Sequence, residues 1–254
     1  MENLFGWVVL FIAAMMAGGI NSVAGGGTLI SFPMLIAFGV PSIPANATNT
    51  AALWPGSLSS AVAYSKDTKL YRDLVLPLIV PSIVGGFLGA LALVVTPPEL
   101  FNRIVPFLVL FATLLFTFRD QINRWFKLGG GEESVTTLGR VWGFLFQLFV
   151  AMYGGYFGAG IGILMLGSLS IMGLRDIHRM NGLKTILATF INVIGFVFFA
   201  FKGLVVWNLA IMMAIGAIIG GYVGARAAKR VDPNYIRAFV IVVGAVVSVW
   251  LFVK

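Results

Sequence analysis

The sequence predicts an all-α integral membrane protein built from two inverted repeats, and three observations support this fold class. Of the 254 residues, 59% are hydrophobic and only 10% are charged, with a mean hydropathy of +1.00. A soluble core of this size cannot bury that much apolar surface, so lipid must be the solvent. The chain also repeats itself at one constant offset, and its basic residues gather in alternate loops. An internal repeat in a strongly apolar chain is typical of secondary transporters, whose substrate site lies between the repeats.

The repeat sets the domain organisation. Positions of the first half recur 135 residues later, without an insertion over most of each half. The matching pairs are Gly25 and Gly160, Asn46 and Asn181, Thr50 and Thr185, Gly85 and Gly220, Gly86 and Gly221, and Gly89 and Gly224. This pattern indicates one ancestral unit that was duplicated and fused. It predicts a first membrane repeat over residues 1–118, a cytoplasmic linker over 119–138 and a second membrane repeat over 139–254.

Uncharged runs give the membrane segments in chain order. At about 20 residues per crossing, the run 3–65 fits three segments, and the runs 74–98 and 104–118 fit one each. Beyond a polar loop, the second half supplies two short segments and three full ones, within residues 141–174, 185–201, 203–225 and 238–253. This makes about five segments per half and ten in total. The second segment of each half, near 28–38 and 161–172, is only about half a bilayer thick, so the sequence leaves open whether it spans or re-enters.

The distribution of basic residues predicts the orientation. With ten crossings, fourteen of the 17 Lys and Arg residues share one side, and the other side keeps only Arg103, Lys202 and Lys254. If the short segments returned to their own side, the division would be nearly even. The positive-inside rule therefore favours ten crossings, with both termini outside and the 119–140 loop in the cytoplasm. Since each half then has an odd number of segments, the two halves are inverted relative to each other.

Glycine runs mark where helices break in each half. They predict opened backbone that lines a cavity, because unpaired backbone groups at membrane depth need a polar surrounding. Helices that resume after a break point their N-terminal N–H groups inward, which favours an anion. The alternative is close packing of helices, which we prefer for the later Gly85 and Gly220 blocks. The candidate helix-break positions are Gly25, Gly26, Gly27, Gly158, Gly160 and Gly162.

Polar side chains follow the glycines in both halves. Spacings of three, four and seven residues place each set on one face of the third helix of its half. Two such faces related by the repeat converge on the midline, where polar groups are costly unless they pair or contact a substrate. Hydrogen bonding between helices without a ligand is the alternative. The candidate substrate-binding residues are Thr28, Asn46, Asn49, Thr50, Ser57, Asn181, Lys184, Thr185 and Asn192.

The two halves differ in charge. Lys184 stands at the position that Asn49 has in the first half, and it lies on the polar face. Arg175, His178 and Arg179 replace apolar residues of the first half and predict a cationic cluster at the inner mouth, suited to drawing in an anion. Ordinary loop charge is the preferred alternative for the two arginines, and a surface contact with an acidic neighbour is preferred for the histidine.

Two sequence blocks in each half resemble the repeated signature of the sulfite exporter TauE/SafE family, also called the toluene-sulfonate uptake permease superfamily. The first half carries Ser22-Val-Ala-Gly-Gly-Gly-Thr28 and Ala45-Asn-Ala-Thr-Asn-Thr50, and the second carries Gly154-Gly-Tyr-Phe-Gly-Ala-Gly-Ile-Gly162 and Met180-Asn-Gly-Leu-Lys-Thr185. The second glycine block departs from the family pattern at Ile161. The resemblance implies a multi-pass permease of the bacterial inner (plasma) membrane that carries sulfite, organosulfonates or related sulfur-containing organic anions.

Enzymes and nucleic-acid-binding proteins fit the sequence poorly. The chain has no cysteine, no phosphate-binding Gly-x-x-x-x-Gly-Lys-(Ser/Thr) loop and no His or carboxylate cluster with metal spacing. We therefore expect no cofactor and no metal site. A serine hydrolase would depend on Ser57 and the single histidine, which lie in different halves. The net charge of +8 is attributed to loops that orient the chain in the membrane, so nucleic acid is not an expected partner.

The acidic residues limit the transport mechanism. All nine lie in predicted loops or at helix ends, so a buried carboxylate relay for protons is missing. Three coupling mechanisms remain. The anion could move down its own gradient, the substrate itself could be protonated, or sodium could be held by neutral oxygens. The expected partners are a small-molecule anion and the lipid bilayer. An anion channel or facilitator is the alternative to a carrier, and the exact substrate, the direction and a homo-oligomeric state stay open.

Overall fold

The computed structural model describes residues 4–64, 72–126, 136–228 and 233–253, and these residues contain helices and no strand. Parts of the predicted basic loops, the middle of the linker and both chain ends lie outside this description. The described helices are α1 (Leu4–Val23), α2 (Thr28–Ala37), α3 (Ser42–Ala63), α4 (Arg72–Val95), α5 (Pro98–Thr117), α6 (Arg119–Trp125), α7 (Thr137–Tyr156), α8 (Ile161–Ile171), α9 (Ile177–Phe201), α10 (Trp207–Ala227) and α11 (Pro233–Val253).

Six of the described helices are long and apolar enough to cross a membrane, namely α1, α4, α5, α9, α10 and α11. Helices α2 and α8 are apolar but have only 10 and 11 residues, as the sequence predicted. Helices α3 and α7 have 22 and 20 residues, which is sufficient length, but they are less apolar. The reason is visible in α3, where Asn46, Thr48 and Asn49 are buried against other helices. The chain is a multi-pass membrane protein.

The sequence repeat is also present in the packing of the helices. Helices α1–α5 correspond to α7–α11, and contacts between the halves occur in matched pairs. Helix α1 packs on α10 as α7 packs on α4, and α3 packs on α10 as α9 packs on α4. The third helices, α3 and α9, pack on each other, and so do the fifth, α5 and α11. The interior is therefore built from elements of both halves.

Glycines allow the closest of these helix contacts. A Cβ atom at Gly220 of α10 would lie 1.8 Å from the carbonyl oxygen of Met15, and one at Gly89 of α4 would lie 2.0 Å from that of Met152. No side chain fits in that space, so the helix backbones touch. The prediction that this block of glycines serves packing is confirmed. The same crowding is found at Gly85, Gly221 and Gly224.

The short helix α2 folds back along α1. A Cβ atom at Gly27, just before α2, would lie 2.1 Å from the carbonyl oxygen of Ala17. At the other end, the ring of Phe38 is 2.9 Å from the Cβ position of Gly6. The contacts move toward the start of α1 as α2 proceeds, so the two helices are antiparallel.

The second half repeats this hairpin. The side chain of Ile161 at the start of α8 lies 3.3–3.5 Å from the Cβ position of Gly154, and that of Ile191 lies 3.1 Å from it. The carbonyl oxygen of Ile171 at the end of α8 lies 2.9 Å from the Cβ position of Gly139, near the start of α7. Each short helix therefore returns toward the membrane face from which the preceding long helix started.

The linker differs from the prediction of a polar loop. Its first residues form the short helix α6, and α7 already begins at Thr137. Arg237 on α11 contacts this turn, since its guanidinium donates to the carbonyl oxygens of Phe116 and Thr117 at 2.9 and 2.7 Å and caps the end of α5. The same guanidinium pairs with Asp120 at 2.5 Å. This hydrogen bond holds the pKa of Asp120 below its usual value.

Candidate functional site

A cavity lies at the centre of the molecule, where α1, α3, α8 and α9 meet the break between α7 and α8. It leaves about 30 Å³ for the centres of water-sized spheres. Most of the polar residues predicted for the substrate site line it. They are Thr28, Asn49, Thr50, Ser57, Lys184, Thr185 and Asn192, together with the break residues Gly25, Gly158 and Gly162.

Among the residues that the structure describes, Lys184 is the one charged side chain in the wall of this cavity. It is 2% exposed, and its Nζ donates to Asn181 Oδ1 at 2.9 Å and to the carbonyl oxygen of Ser22 at 3.4 Å. Within the described part of the chain, no carboxylate lies at ion-pair distance from this ammonium. An ammonium has three donors, so one remains for another partner. A buried charge without a counter-charge is costly, and an anion in the cavity would compensate it.

Asn49 occupies the equivalent position of the first half and is held in place at both ends of its amide. Its Oδ1 accepts a hydrogen bond of 2.5 Å from Ser31, and its Nδ2 donates to the hydroxyl of Thr28 at 3.3 Å. This network joins α2 to α3 and forms a neutral polar wall opposite the lysine. Amides and hydroxyls in such a wall can hydrogen-bond the oxygens of a ligand.

The two helix breaks meet at the cavity. Gly25 and its repeat partner Gly160 have φ values of +84° and +76°, which favour glycine. A Cβ atom at Gly25 would lie 2.5 Å from the Cα of Gly162, so the breaks touch. The first turns of α2 and α8 both line the cavity at Thr28 and Gly162. The positive ends of two helix dipoles therefore face the same space as the Lys184 ammonium.

Five of the predicted site residues lie close to the cavity but outside its lining. Asn46 donates from Nδ2 to the carbonyl oxygen of Tyr156 at 2.9 Å, and Asn181 accepts from Lys184. The remaining three are glycines that allow close packing, Gly26 against Phe116, Gly27 against Ala17 and Gly160 against Leu115.

The two predicted inner-mouth arginines lie away from the cavity lining. Arg175 donates from Nη1 to the carbonyl oxygen of Phe126 at 3.0 Å and to Ser170 Oγ at 2.5 Å, which ties α6 to the end of α8. Arg179 pairs with Asp176 at 3.0 Å, with both side chains more than a third exposed. The side chain of His178 lies outside the described residues.

A family model for the sulfite exporter TauE/SafE matches residues 10–251, which is nearly the whole chain. The chain belongs to the sulfite exporter TauE/SafE family. It is 30% identical over 247 residues to the probable membrane transporter protein ORF9 of Sinorhizobium sp., covering 95% of this chain and 90% of that protein. It is also 29% identical to the probable membrane transporter protein YfcA of Escherichia coli K12, over 94% and 87% of the two chains. A probable membrane transporter protein of Haemophilus influenzae is 26% identical, over 92% and 89%.

Membership of the TauE/SafE family and the six apolar helices place this chain among the membrane transporters. The cavity lining also includes Asn21 and Phe157, which were not among the predicted site residues. Asn21 Oδ1 accepts a hydrogen bond of 2.8 Å from the backbone N–H of Gly27 and so shapes the first break. Its position as a polar residue shortly before the glycine run is a signal that could have identified it from the sequence. Phe157 carried no such signal, because aromatic residues are common throughout the sequence.

Proposed function

We propose that this TauE/SafE family protein is a secondary transporter of small anions, with sulfite, organosulfonates and related sulfur-containing organic anions as its substrate class. The observation that carries the proposal is the buried Lys184 ammonium, which faces the central cavity and has no carboxylate partner among the described residues. A cationic substrate would meet repulsion here. An anion would relieve the cost of the buried charge.

The surroundings of Lys184 suit an oxyanion in particular. Sulfite and sulfonate groups carry three oxygens that accept hydrogen bonds, and the cavity wall offers the ammonium, the amides of Asn49 and Asn192, and hydroxyls such as that of Thr185. The starts of α2 and α8 add backbone N–H groups and positive dipole ends. The open space corresponds to about two or three water molecules, which is the size of a small oxyanion or of a sulfonate head group.

The proposed topology and the membrane potential bear separately on transport. Ten segments in two inverted halves, with the linker in the cytoplasm and both termini outside, would place most basic residues inside. The antiparallel hairpins α1–α2 and α7–α8 support an odd number of segments per half. A membrane potential that is negative inside favours exit of an anion by about 2.3 kcal/mol per charge per 100 mV. Export therefore requires no coupling ion.

Transport by the purified protein in proteoliposomes tests the proposal. We expect uptake of labelled sulfite, thiosulfate or sulfonates, competition among them, and counterflow when unlabelled anion is trapped inside. Counterflow separates a carrier from an anion channel, which is the alternative. Affinity for cations or neutral solutes, with none for anions, would overturn the proposal.

A further inference from the structure

A second and larger cavity, the vestibule, opens on one face of the molecule. It has a volume of about 860 Å³ on the same measure as the central cavity. The ends of α2, α4 and α9 and the starts of α3 and α5 surround it, with Ser42, Thr96, Asn102 and Lys202 among its polar residues. Because all these helix termini point to one membrane face, the vestibule is a route by which solutes reach the protein from that face.

Helix α3 connects the vestibule to the central cavity. Its first residues, Ser42, Ile43 and Pro44, line the vestibule, and Asn49 and Thr50 line the central cavity. At 1.5 Å per residue, the five-residue step from Pro44 to Asn49 corresponds to about 7.5 Å. Asn46 lies between the two sets and lines neither cavity. A barrier between one and two helical turns thick therefore separates the two spaces.

Tyr156 and Phe157 fill this barrier. The hydroxyl of Tyr156 lies 3.4 Å from Thr96 Oγ1, which faces the vestibule, and its ring packs edge-on against Phe101 at 5.8 Å between centroids. The next residue, Phe157, is 3% exposed, lines the central cavity and packs edge-on against Phe32 at 5.3 Å. Phe157 thus lines the central cavity, while Tyr156 contacts a residue of the vestibule wall.

The barrier lies at a natural hinge. Helix α7 ends at Tyr156, Phe157 has a non-helical backbone, and Gly158 follows with φ of +81°. In this structure Asn46 holds the end of α7 in place, because its Nδ2 donates to the carbonyl oxygen of Tyr156. The other end of the same amide, Oδ1, is buried and has no partner among the described residues. An unsatisfied buried acceptor is destabilising, so this amide does not hold the end of α7 with its full hydrogen-bonding capacity.

We propose that Tyr156 and Phe157 form the vestibule-side gate of the transport path, which opens when the end of α7 moves away from Asn46 and Thr96. The proposal rests on the proposed transport function. It assigns to these aromatic residues the control of access between the vestibule and the anion-binding cavity. Loop or helix-end segments with a few hinge residues commonly carry such gating movements.

The absence of cysteine allows a direct test by site-specific labelling. Leu53→Cys places a thiol in the central cavity, and Asn102→Cys places one in the vestibule. A membrane-impermeant maleimide is applied to intact cells and to inverted membrane vesicles. The preparation in which Asn102→Cys reacts defines the vestibule side. Each reporter is then combined with Tyr156→Ala, with the milder Tyr156→Phe, or with Tyr222→Ala on α10 as a matched control.

We expect Leu53→Cys to react slowly from the vestibule side in the parent protein. Tyr156→Ala should accelerate it about tenfold or more, since lost contacts worth about 1.4 kcal/mol shift a closed–open equilibrium tenfold. Tyr156→Phe should accelerate it a few-fold, because it loses only the hydroxyl contact of about 0.5–1.5 kcal/mol. Tyr222→Ala should leave the rate unchanged, and Asn102→Cys should react equally in all backgrounds.

Two results would overturn the gate. One is a Leu53→Cys rate that neither Tyr156 variant changes, and the other is a rate in the parent protein as fast as that of Asn102→Cys. Should Tyr156→Ala fail to fold, the Tyr156→Phe comparison decides. Binding of methanesulfonate to the parent protein, measured by thermal shift, tests the proposed function separately, because an anion site can exist whether or not this barrier moves.

Discussion

Replacement of Lys184 by methionine separates a substrate-binding role from a structural one. Methionine keeps most of the length and volume of the side chain but removes the charge. The fit at this position is tight, since the Cδ of Lys184 lies 3.2 Å from the Cβ position of Gly162. A side chain of similar volume therefore preserves the packing of α8 against α9, and the loss of the ammonium is the main change.

Lys184→Met should lower the affinity for anions without lowering the stability of the anion-free protein. A hydrogen bond between a charged group and an anion is worth about 1.5–3 kcal/mol, so the apparent affinity should fall roughly tenfold to one hundredfold. Stability without anion should stay the same or rise. The variant loses hydrogen bonds to Asn181 and Ser22, but it no longer buries a charge that has no carboxylate partner among the described residues, whose cost is several kcal/mol.

Thermal unfolding tests the expected stability of Lys184→Met, and binding of methanesulfonate, measured on the same preparations, tests its expected affinity. Lys184→Ala should show a similar loss of affinity, and Lys184→Arg should recover part of it, because the bulkier guanidinium changes the geometry. Arg179→Ala is the control, since that arginine is 40% exposed and pairs with Asp176, so salt screens its influence. If Lys184→Ala binds with unchanged affinity while Arg179→Ala does not, the anion site lies at the inner mouth and the reasoning is refuted.

Two further predictions concern the helix break and the topology. Gly25→Ala should abolish transport and lower the melting temperature more than Gly203→Ala, because both have positive φ but only Gly25 would push a Cβ to 2.5 Å from Gly162. Gly203→Ala has open space and should cost about 1–2 kcal/mol for the left-handed backbone alone; equal effects would contradict the role of the touching breaks. Single cysteines at the exposed positions Thr137 and Lys202 should label from opposite membrane faces, and labelling from the same face would exclude the inverted ten-segment arrangement.

The helices were predictable because the repeat and the glycines are strong local signals. The glycine runs predicted breaks before residues 28 and 161, and the structure places the starts of α2 and α8 there. Helix α6 was not predicted, because its charged sequence has the composition of a loop. Its first turn is held by Arg237, which comes from the far end of the chain, caps α5 and pairs with Asp120. A tertiary contact of this kind leaves no trace in local composition.

The polar wall of the cavity could be selected from sequence, and the aromatic barrier could not. Asn49, Thr50 and Lys184 are unusual in an apolar chain, so their spacing was informative. Tyr156 and Phe157 are two of many aromatic residues, and their position between two cavities depends on contacts with α3 and α4. Spacing also could not show which polar residues turn away from the cavity.

The duplication provides the geometry of the site, and a single difference between the halves provides its charge. Asn49 and Lys184 occupy the same position in the repeat, yet the amide is engaged at both ends by Ser31 and Thr28. The ammonium uses two of its three donors on Asn181 and Ser22 and keeps one for the cavity. A symmetric pair of asparagines would make a neutral site, and a symmetric pair of lysines would bury two like charges in one small space, which is far more costly. One lysine facing one asparagine gives this pair of repeat positions a single positive charge, which suits the proposed binding of one small anion.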